Sequence, residues 1–185
     1  MRTVLGLCAS LRAGSYNAGL LRAAAELAPA DARLVVPDLR GVPEFDEDLE
    51  ARGAQERVEA IKGDIAAADA LLFAVAEYNY GLPGWFKNVV DWVSRPPATT
   101  PLRRKPTGVV SASLGERGGA RAQMALRQTL VYTDTYVMPR PELFVGKAAT
   151  KFDAQARLVD EPTRRELAAY LQALLAWADL VGRSG

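Results

Sequence analysis

Apolar residues follow two different periods along this chain. Short uninterrupted apolar runs predict strands that are buried on both faces, as the strands of a parallel sheet are. Such runs cover residues 3–8 and 70–76, and two further strands are predicted over residues 32–36, which Pro37 ends, and over residues 107–112. A final strand is predicted in two parts, at 136–138 and 143–145, with a bend at Pro139 and Pro141 between them.

Between the strands, apolar residues recur at every third or fourth position and predict helices. These helical segments cover residues 16–27, 54–68, 85–93 and 120–132. A last helix is expected to open at Thr163, because Glu166 stands three places on in a capping-box spacing. Residues 38–50 are polar, and their acidic cluster predicts a solvated loop rather than a metal site.

Strands and helices therefore alternate, which favours a parallel sheet with helices on both faces and right-handed crossovers. The predicted fold is a single α/β domain over residues 1–185, a flavodoxin-like three-layer sandwich with five parallel strands in the order 2-1-3-4-5. In that order strands 1, 3 and 4 are neighbours, and ligands bind beyond their carboxyl ends. The three polar loops that follow these strands should share one edge of the sheet.

Composition excludes several classes of chemistry. The 185 residues carry 23 Lys and Arg against 22 Asp and Glu, so no net charge attracts nucleic acid or an acidic membrane surface. The chain has no histidine, which excludes Ser-His-Asp and Cys-His catalysis and histidine-ligated metals. Its one cysteine, Cys8, excludes an internal disulfide and is interpreted as packing. No apolar run approaches the roughly 20 residues of a membrane span, and a cytoplasmic protein is expected.

The loop after the first strand is rich in hydrogen-bond donors. Ser10, Arg12, Ser15 and Asn17 fall within eight residues, and Gly14 allows the backbone to turn. Open amides at a helix start, with one guanidinium, would suit a phosphate. Equally consistent is a plain helix cap beside a solvated arginine. P-loop and dinucleotide-binding interpretations are weakened, because neither glycine spacing is present.

The loops after the third and fourth strands complete a candidate site. Residues 77–81 bring two tyrosines and an amide, and residues 111–119 form a flexible Ser/Gly loop. Taken singly, each has a plain structural explanation, such as surface aromatics or a hinge at Gly118 and Gly119. Together at one sheet edge, they predict a pocket for a flat heteroaromatic ring with a phosphate tail.

Three segments carry a family resemblance: residues 9–17 read ASLRAGSYN, residues 77–94 read EYNYGLPGWFKNVVDWVS, and residues 118–130 read GGARAQMALRQTL. They resemble the motifs GSLR-x-GS-x-N, PEYNYG-x-PG-x-xKN-x-xDW-x-S and GGARAQ-x-x-LRQ-x-L of the NADPH-dependent FMN reductase family, which contains flavodoxin-like quinone, azo-dye and chromate reductases. Ala9 replaces a motif glycine, which is tolerated only at negative φ, and Ala76 replaces a proline and loses a rigid bend.

The resemblance implies one FMN site built from the three loops. The first loop would hold the FMN phosphate, the second would line the ribityl chain and ring edge, and the third would approach the ring. The cofactor-binding residues implied in these loops are Ser10, Leu11, Arg12, Ser15, Tyr16 and Asn17, then Ala76, Glu77, Tyr78 and Asn79, then Ala112 and Ser113. Tyr80 and Arg117 are the expected contacts of the second substrate.

The implied activity is a ping-pong transfer of electrons from NADPH or NADH through FMN to a small acceptor, such as a quinone, an azo compound or chromate. No catalytic side chain and no metal is expected, because the cofactor carries the hydride chemistry. A flavodoxin-type electron carrier is the alternative, but such carriers use a strongly acidic face, whereas the basic residues Arg12, Arg117 and Arg121 near the mouth of the site favour an anionic nicotinamide phosphate. A flavin-free nucleotide-handling enzyme is a third possibility. The resemblance and the aromatic residues Trp85, Phe86 and Trp92 favour a homodimer or homotetramer, without nucleic acid or membrane partners.

Overall fold

A six-stranded parallel sheet lies at the centre of the protein, in a computed structural model that describes residues 1–182. Its strands run in the order β2-β1-β3-β4, and β5 and β6 both pair with the far edge of β4. The strands are β1 (Arg2–Cys8), β2 (Ala32–Val35), β3 (Ala70–Ala74), β4 (Pro106–Ala112), β5 (Tyr136–Val137) and β6 (Leu143–Val145). The predicted flavodoxin-like order is confirmed, with the fifth strand divided into two.

Helices cover both faces of the sheet. They are α1 (Tyr16–Glu26), α2 (Glu47–Ala51), α3 (Glu56–Ala67), α4 (Gly84–Val93), α5 (Ala120–Tyr132) and α6 (Glu161–Gly182). The hydrophobic layer on one face joins α1 and α6 to the sheet, and the layer on the other face joins α3, α4 and α5. None of the helices in residues 1–182 has both the length and the apolar character needed to cross a membrane.

Strand β3 shows why the central strands are apolar throughout. Leu72 packs into the layer of α1 and α6, whereas Phe73 packs into the layer of α3, α4 and α5, because successive side chains of a strand point to opposite faces. The register pairs Cys8 of β1 with Ala74 of β3, and Ala74 with Val110 of β4. The carboxyl ends of these three strands therefore form one edge, as predicted.

The final strand is divided at residues 138–142, which contain Pro139 and Pro141, and a side chain pairs with the edge of β4 at this gap. β5 pairs with β4 as far as Thr107, and β6 pairs with it from Val110 onward. The Tyr170 hydroxyl of α6 reaches the gap, where it accepts the Val109 N–H at 2.7 Å and donates to the Val109 carbonyl at 3.1 Å. Gly108 leaves room for this ring, since a Cβ there would lie 2.9 Å from it.

The segment that polarity predicted as a loop contains the short helix α2. Asp46 caps this helix, because its Oδ1 accepts the Asp48 backbone N–H at 2.9 Å. Glu47 and Glu50 form ion pairs with Arg95, at 3.8 and 3.3 Å. The acidic cluster therefore owes part of its order to a residue that follows α4, which local polarity does not reveal.

Helix α6 begins at Glu161, two residues before the predicted start at Thr163. Asp160 Oδ2 accepts both the backbone N–H and the hydroxyl of Thr163, at 2.9 and 2.6 Å. These hydrogen bonds hold the pKa of the Asp160 carboxyl below its usual value. The predicted capping box of Thr163 and Glu166 is therefore wrong, because an upstream aspartate is the better placed acceptor.

Two of the three aromatic residues of α4 are core residues. Phe86 is fully buried and Trp92 is 3% exposed. The Trp92 indole packs edge-on against Phe45 at 5.0 Å, and its N–H donates to the Pro43 carbonyl at 2.8 Å. Only Trp85 is half-buried. The aromatic content of α4 is thus explained within one chain, apart from Trp85.

Candidate functional site

A cleft of about 830 Å³ opens beyond the carboxyl ends of β1, β3 and β4. All three predicted loops line it. The predicted residues on its wall are Ser10, Arg12, Ser15, Tyr16, Asn17, Ala76, Glu77, Tyr78, Tyr80, Ala112, Ser113 and Arg117. Its size is in the usual range for a small-molecule site, so the structure brings together what the three loops separately suggested.

Two predicted residues do not line the cleft, and five others do. Leu11 instead lines a neighbouring pocket beside α4, and Asn79 forms part of a turn. The added wall residues are Leu114, Gly115, Glu116, Gly119 and Arg121. Four of them lie in the Ser/Gly loop, and Arg121 lies two residues after it. The loop was recognised and Arg121 was expected near the cleft for its charge, but the other four contacts were not predicted.

The first loop both caps a helix and leaves donors free. Ser15 is 2% exposed, and its Oγ accepts the Ala18 backbone N–H at 3.2 Å, which caps α1. Among residues 1–182, no acceptor pairs with the backbone N–H groups of residues 11–14, 16 and 17. Arg12 forms no ion pair with any residue of this range and lies 5.3 Å from the Tyr16 ring centroid. The cap and the phosphate interpretations are therefore compatible.

Asn17 joins the first loop to the third. Its side-chain amide donates to the Ala112 carbonyl at 3.0 Å and accepts the Ala112 N–H at 2.9 Å, and the residue is 4% exposed. The pairing ties the first turn of α1 to the last residue of β4. Asn17 therefore sets the distance between the first and third loops at the cleft.

The second loop is a closed turn that presents two rings. Tyr78 and Gly81 exchange backbone hydrogen bonds at 3.1 and 2.9 Å, and the residues between them, Asn79 and Tyr80, have φ of 50° and 66°. This is the pattern of a type I′ turn. Left-handed φ is common for asparagine but uncommon for a bulky aromatic residue. The turn leaves Tyr78 and Tyr80 exposed, at 55% and 68%.

Glu77 joins the second loop to helix α5. Its Oε2 accepts the backbone N–H groups of Arg121 and Ala122, at 3.0 and 3.2 Å, and the side chain is only 15% exposed. Gly119 stands at the N-cap and has no side chain to cap the helix. The carboxylate of Glu77 supplies that cap and complements the helix dipole. Its hydrogen bonds are therefore made within the protein.

The third loop is held by close packing. Ser111 donates a short hydrogen bond to the Gly118 carbonyl, and Gln123 Nε2 donates to Ser111 Oγ at 2.8 Å. Gly119 has φ of 85°, and a Cβ there would lie 2.9 Å from the Ser111 Cβ. Glu116 forms an ion pair with Lys147 at 3.1 Å. Gly118 and Gly119, for which a hinge was the plain alternative explanation, are sites where the backbone approaches neighbouring atoms closely.

Cys8 and Ala9 precede the cleft without supplying chemistry to it. Burial raises the pKa of the Cys8 thiol, so it remains protonated and poorly nucleophilic near neutral pH. Ala9 is fully buried, and its φ is not in the left-handed region. The alanine that replaces a motif glycine is therefore accommodated without strain.

Known proteins resemble this chain along most of its length. The sequence profile of the NADPH-dependent FMN reductase family matches residues 2–150. An NAD(P)H-dependent FMN reductase of Pseudomonas aeruginosa is 45% identical over 174 residues, covering 94% of each chain. An NAD(P)H:quinone oxidoreductase of Solanum tuberosum is 42% identical over 181 residues, covering 95% of this chain and 92% of its own. The solved structure of FerB, a flavoenzyme NAD(P)H:(acceptor) oxidoreductase from Paracoccus denitrificans, matches with a TM-score of 0.88 at 31% identity, covering 97% of this chain and 98% of that one.

The sheet order and the cleft at its carboxyl edge define a flavodoxin-like protein with a cofactor site at the switch point of the sheet. The chain belongs to the NADPH-dependent FMN reductase family. The resemblance drawn from three sequence motifs is thereby confirmed.

The chemistry of the cleft fits FMN. The unpaired amides of residues 11–14, 16 and 17 stand at the start of α1, beside the Arg12 guanidinium. Amides and a cation at a helix N-terminus suit a phosphate dianion. The remaining wall includes the rings of Tyr78 and Tyr80 and the residues Ala112 and Ser113 at the end of β4. A flat ring with a phosphate tail matches this division.

Proposed function

We propose that this protein is an FMN-dependent NAD(P)H oxidoreductase that reduces quinones and similar small acceptors. The observation that carries the proposal is the meeting of three distant loops around one cleft, with a run of unpaired amides at one end. The names of the relatives support the same activity, because they include an FMN reductase and a quinone oxidoreductase.

Each loop has a separate task in this proposal. The first loop binds the phosphate through its free amides, Ser10 and Arg12, while Asn17 fixes the distance to the third loop. Tyr78, Ala112 and Ser113 bind the ring and its chain. When bound, FMN supplies hydride and electron transfer, so the protein needs no acid or base of its own. A cleft without histidine is compatible with that chemistry.

The test is turnover of the FMN-loaded protein. We expect NADPH or NADH to be oxidised continuously when menadione or ferricyanide is supplied as acceptor. Flavin that remains oxidised for minutes with both donors would contradict the proposal and favour the electron carrier. Purified protein that is colourless and does not take up FMN would favour a flavin-free enzyme of the same fold.

The charges at the cleft favour the enzyme over the carrier. Arg12, Arg117 and Arg121 line it, against Glu77 and Glu116. Glu77 caps α5 and forms an ion pair with Arg121 at 3.7 Å, Glu116 is paired with Lys147, and Arg12 and Arg117 have no ion-pair partner in the described chain. The wall therefore presents net positive charge, which attracts an anionic nicotinamide dinucleotide. An electron carrier would instead use an acidic face.

A homodimer or homotetramer is also proposed, with α5 contributing to the interface. Met124, Val131 and Tyr132 of α5 are 47%, 77% and 80% exposed. Tyr132 also lines a groove between α4 and α5, and exposed apolar side chains beside a groove are typical of contact surfaces. Light scattering on a sizing column should give at least twice the 20.0 kDa chain mass. We also propose that the protein acts in the cytoplasm, where NADH and NADPH would be available to it.

A further inference from the structure

The Arg121 guanidinium is held in place yet donates no hydrogen bond within residues 1–182. Its carbon lies 3.7 Å from the ring centroid of Tyr80, and its Nη1 lies 3.7 Å from Glu77 Oε1, beyond hydrogen-bond distance. The side chain is 34% exposed on the wall of the cleft. The guanidinium carbon thus lies over the Tyr80 ring and one of its nitrogens lies near the Glu77 carboxylate, while no N–H of the side chain donates a hydrogen bond within residues 1–182.

Such a guanidinium is suited to bind an oxyanion. Its N–H groups form a rigid fork that matches two oxygens of a phosphate, and stacking on an aromatic ring fixes the plane of that fork beforehand. Less side-chain entropy is then lost when an anion binds. Arg117 is an exposed cation of the same loop, without an ion-pair or ring partner in the described chain, so its side chain lacks this fixation.

The backbone is strained at the point where it supplies the stacking ring. Tyr80 has φ of 66°, and left-handed backbone is uncommon for a bulky aromatic residue. The turn carries the Tyr80 ring onto Arg121, while Glu77, one residue before that turn, holds the Arg121 backbone. Strain of this kind is typically retained where a side chain has a task.

The FMN phosphate already has donors at the first loop, at the start of α1. Arg121 lies instead in the first turn of α5, just after the loop that follows β4. The other substrate with phosphate groups is the electron donor, whereas a quinone acceptor carries none. We propose that Arg121, fixed by Glu77 and Tyr80, binds a phosphate group of the incoming NAD(P)H, an inference that rests on the function proposed above.

Binding without turnover tests the inference directly. FMN-loaded wild type, Arg121→Gln and Arg121→Lys would be titrated calorimetrically with ADP-ribose and with 2′-phospho-ADP-ribose, and flavin reduction would be followed at rising NADH and NADPH in a stopped-flow instrument. We expect Arg121→Gln to raise the dissociation constant of the donor by about ten- to hundredfold, as for loss of a charged hydrogen bond. Arg121→Lys should lose less, because it retains the charge but not the fork.

The probes distinguish the two phosphate sources. Loss of affinity for both probes assigns Arg121 to the pyrophosphate, whereas loss confined to 2′-phospho-ADP-ribose assigns it to the 2′-phosphate. Arg52→Gln is the matched control, since Arg52 is an exposed arginine outside the cleft. FMN affinity and thermal unfolding of each variant show whether the cleft itself is intact.

Two failures are separable. Wild type whose FMN is reduced by dithionite but by neither donor contradicts the proposed function. Wild type that is reduced by NAD(P)H, with unchanged donor affinity in Arg121→Gln and Arg121→Lys, overturns the role of Arg121. Weaker FMN binding with unchanged affinity for both probes also overturns it, because Arg121 would then belong to the flavin site.

Discussion

Backbone groups that lack a backbone partner stay unpaired at the rim of the cleft but are paired by a side chain inside the sheet. At the rim, the first loop leaves the N–H groups of residues 11–14, 16 and 17 without an acceptor in the described chain. Inside the sheet, the gap between β5 and β6 would leave the N–H and carbonyl of Val109 unpaired, and the hydroxyl of Tyr170 pairs with both.

The difference shows where this fold tolerates unpaired polar groups. A buried backbone group without a partner costs about 1 to 3 kcal/mol, so the interior recruits a side chain 61 residues away to avoid that cost. At the rim, water or a ligand can pair the amides. Donors left free at a sheet edge therefore indicate a binding site, whereas those inside the sheet are satisfied by the protein.

The largest expected effect follows from removing the interior hydroxyl. Tyr170→Phe should lower the free energy of unfolding by about 3 kcal/mol, because two buried backbone groups of Val109 lose their partner. Urea unfolding measures this loss. Tyr132→Phe is the matched control, since Tyr132 is 80% exposed. A loss no larger than that of the control would mean that the gap needs no partner.

The same hydroxyl gives the protein a pH dependence at the alkaline end. Burial raises the pKa of Tyr170 to about 12, against about 10 in the unfolded chain. Because the folded pKa is the higher one, the stability that this group contributes is complete below pH 10 and is lost as pH rises toward 12. The loss should reach about 2 to 3 kcal/mol. The free energy of unfolding of Tyr170→Phe, measured in urea over the same pH range, should depend correspondingly less on pH than that of the wild type. Identical pH dependence in the two proteins would contradict this.

At the rim, loss of a donor side chain should change ligand affinity instead of stability. Arg12→Gln should weaken FMN binding about ten- to hundredfold, the usual consequence of losing a charge-assisted contact to phosphate. Flavin fluorescence quenching measures the affinity. Riboflavin is the control ligand, because it lacks the phosphate and should bind both proteins equally. An equal loss for riboflavin would mean that Arg12 does not contact the phosphate.

The smallest expected effect concerns the rim group that is already paired. Glu77→Gln should lower the free energy of unfolding by about 1 kcal/mol, since an amide oxygen can still accept a hydrogen bond but the charge at the start of α5 is lost. Thermal unfolding measures this loss of stability. Glu166→Gln, at an exposed position of α6 that Asp160 already caps, should have no effect. An equal loss in the two variants would remove Glu77 from the capping role.

Much of the site could be predicted from local sequence because its loops are local features. The donors of residues 10–17 follow a buried strand directly, and the type of loop they form depends on neighbours in the chain. Their position at one edge followed from strand order, which the alternation of strands and helices determines. The contacts of individual side chains did not follow, as Leu11 and Asn79 show by lying off the cleft wall.

Periodicity and short motifs lie within single segments, so the amino-acid sequence was enough to predict the parallel sheet, its strand order, the three loops at its carboxyl edge and the family. The side-chain partners became known from the packed fold alone: Asn17 with Ala112 across 95 residues, Glu77 with the start of α5 across 44, and Tyr80 against Arg121. Such pairs depend on how separate segments are oriented when the layers pack, and no local pattern encodes that orientation.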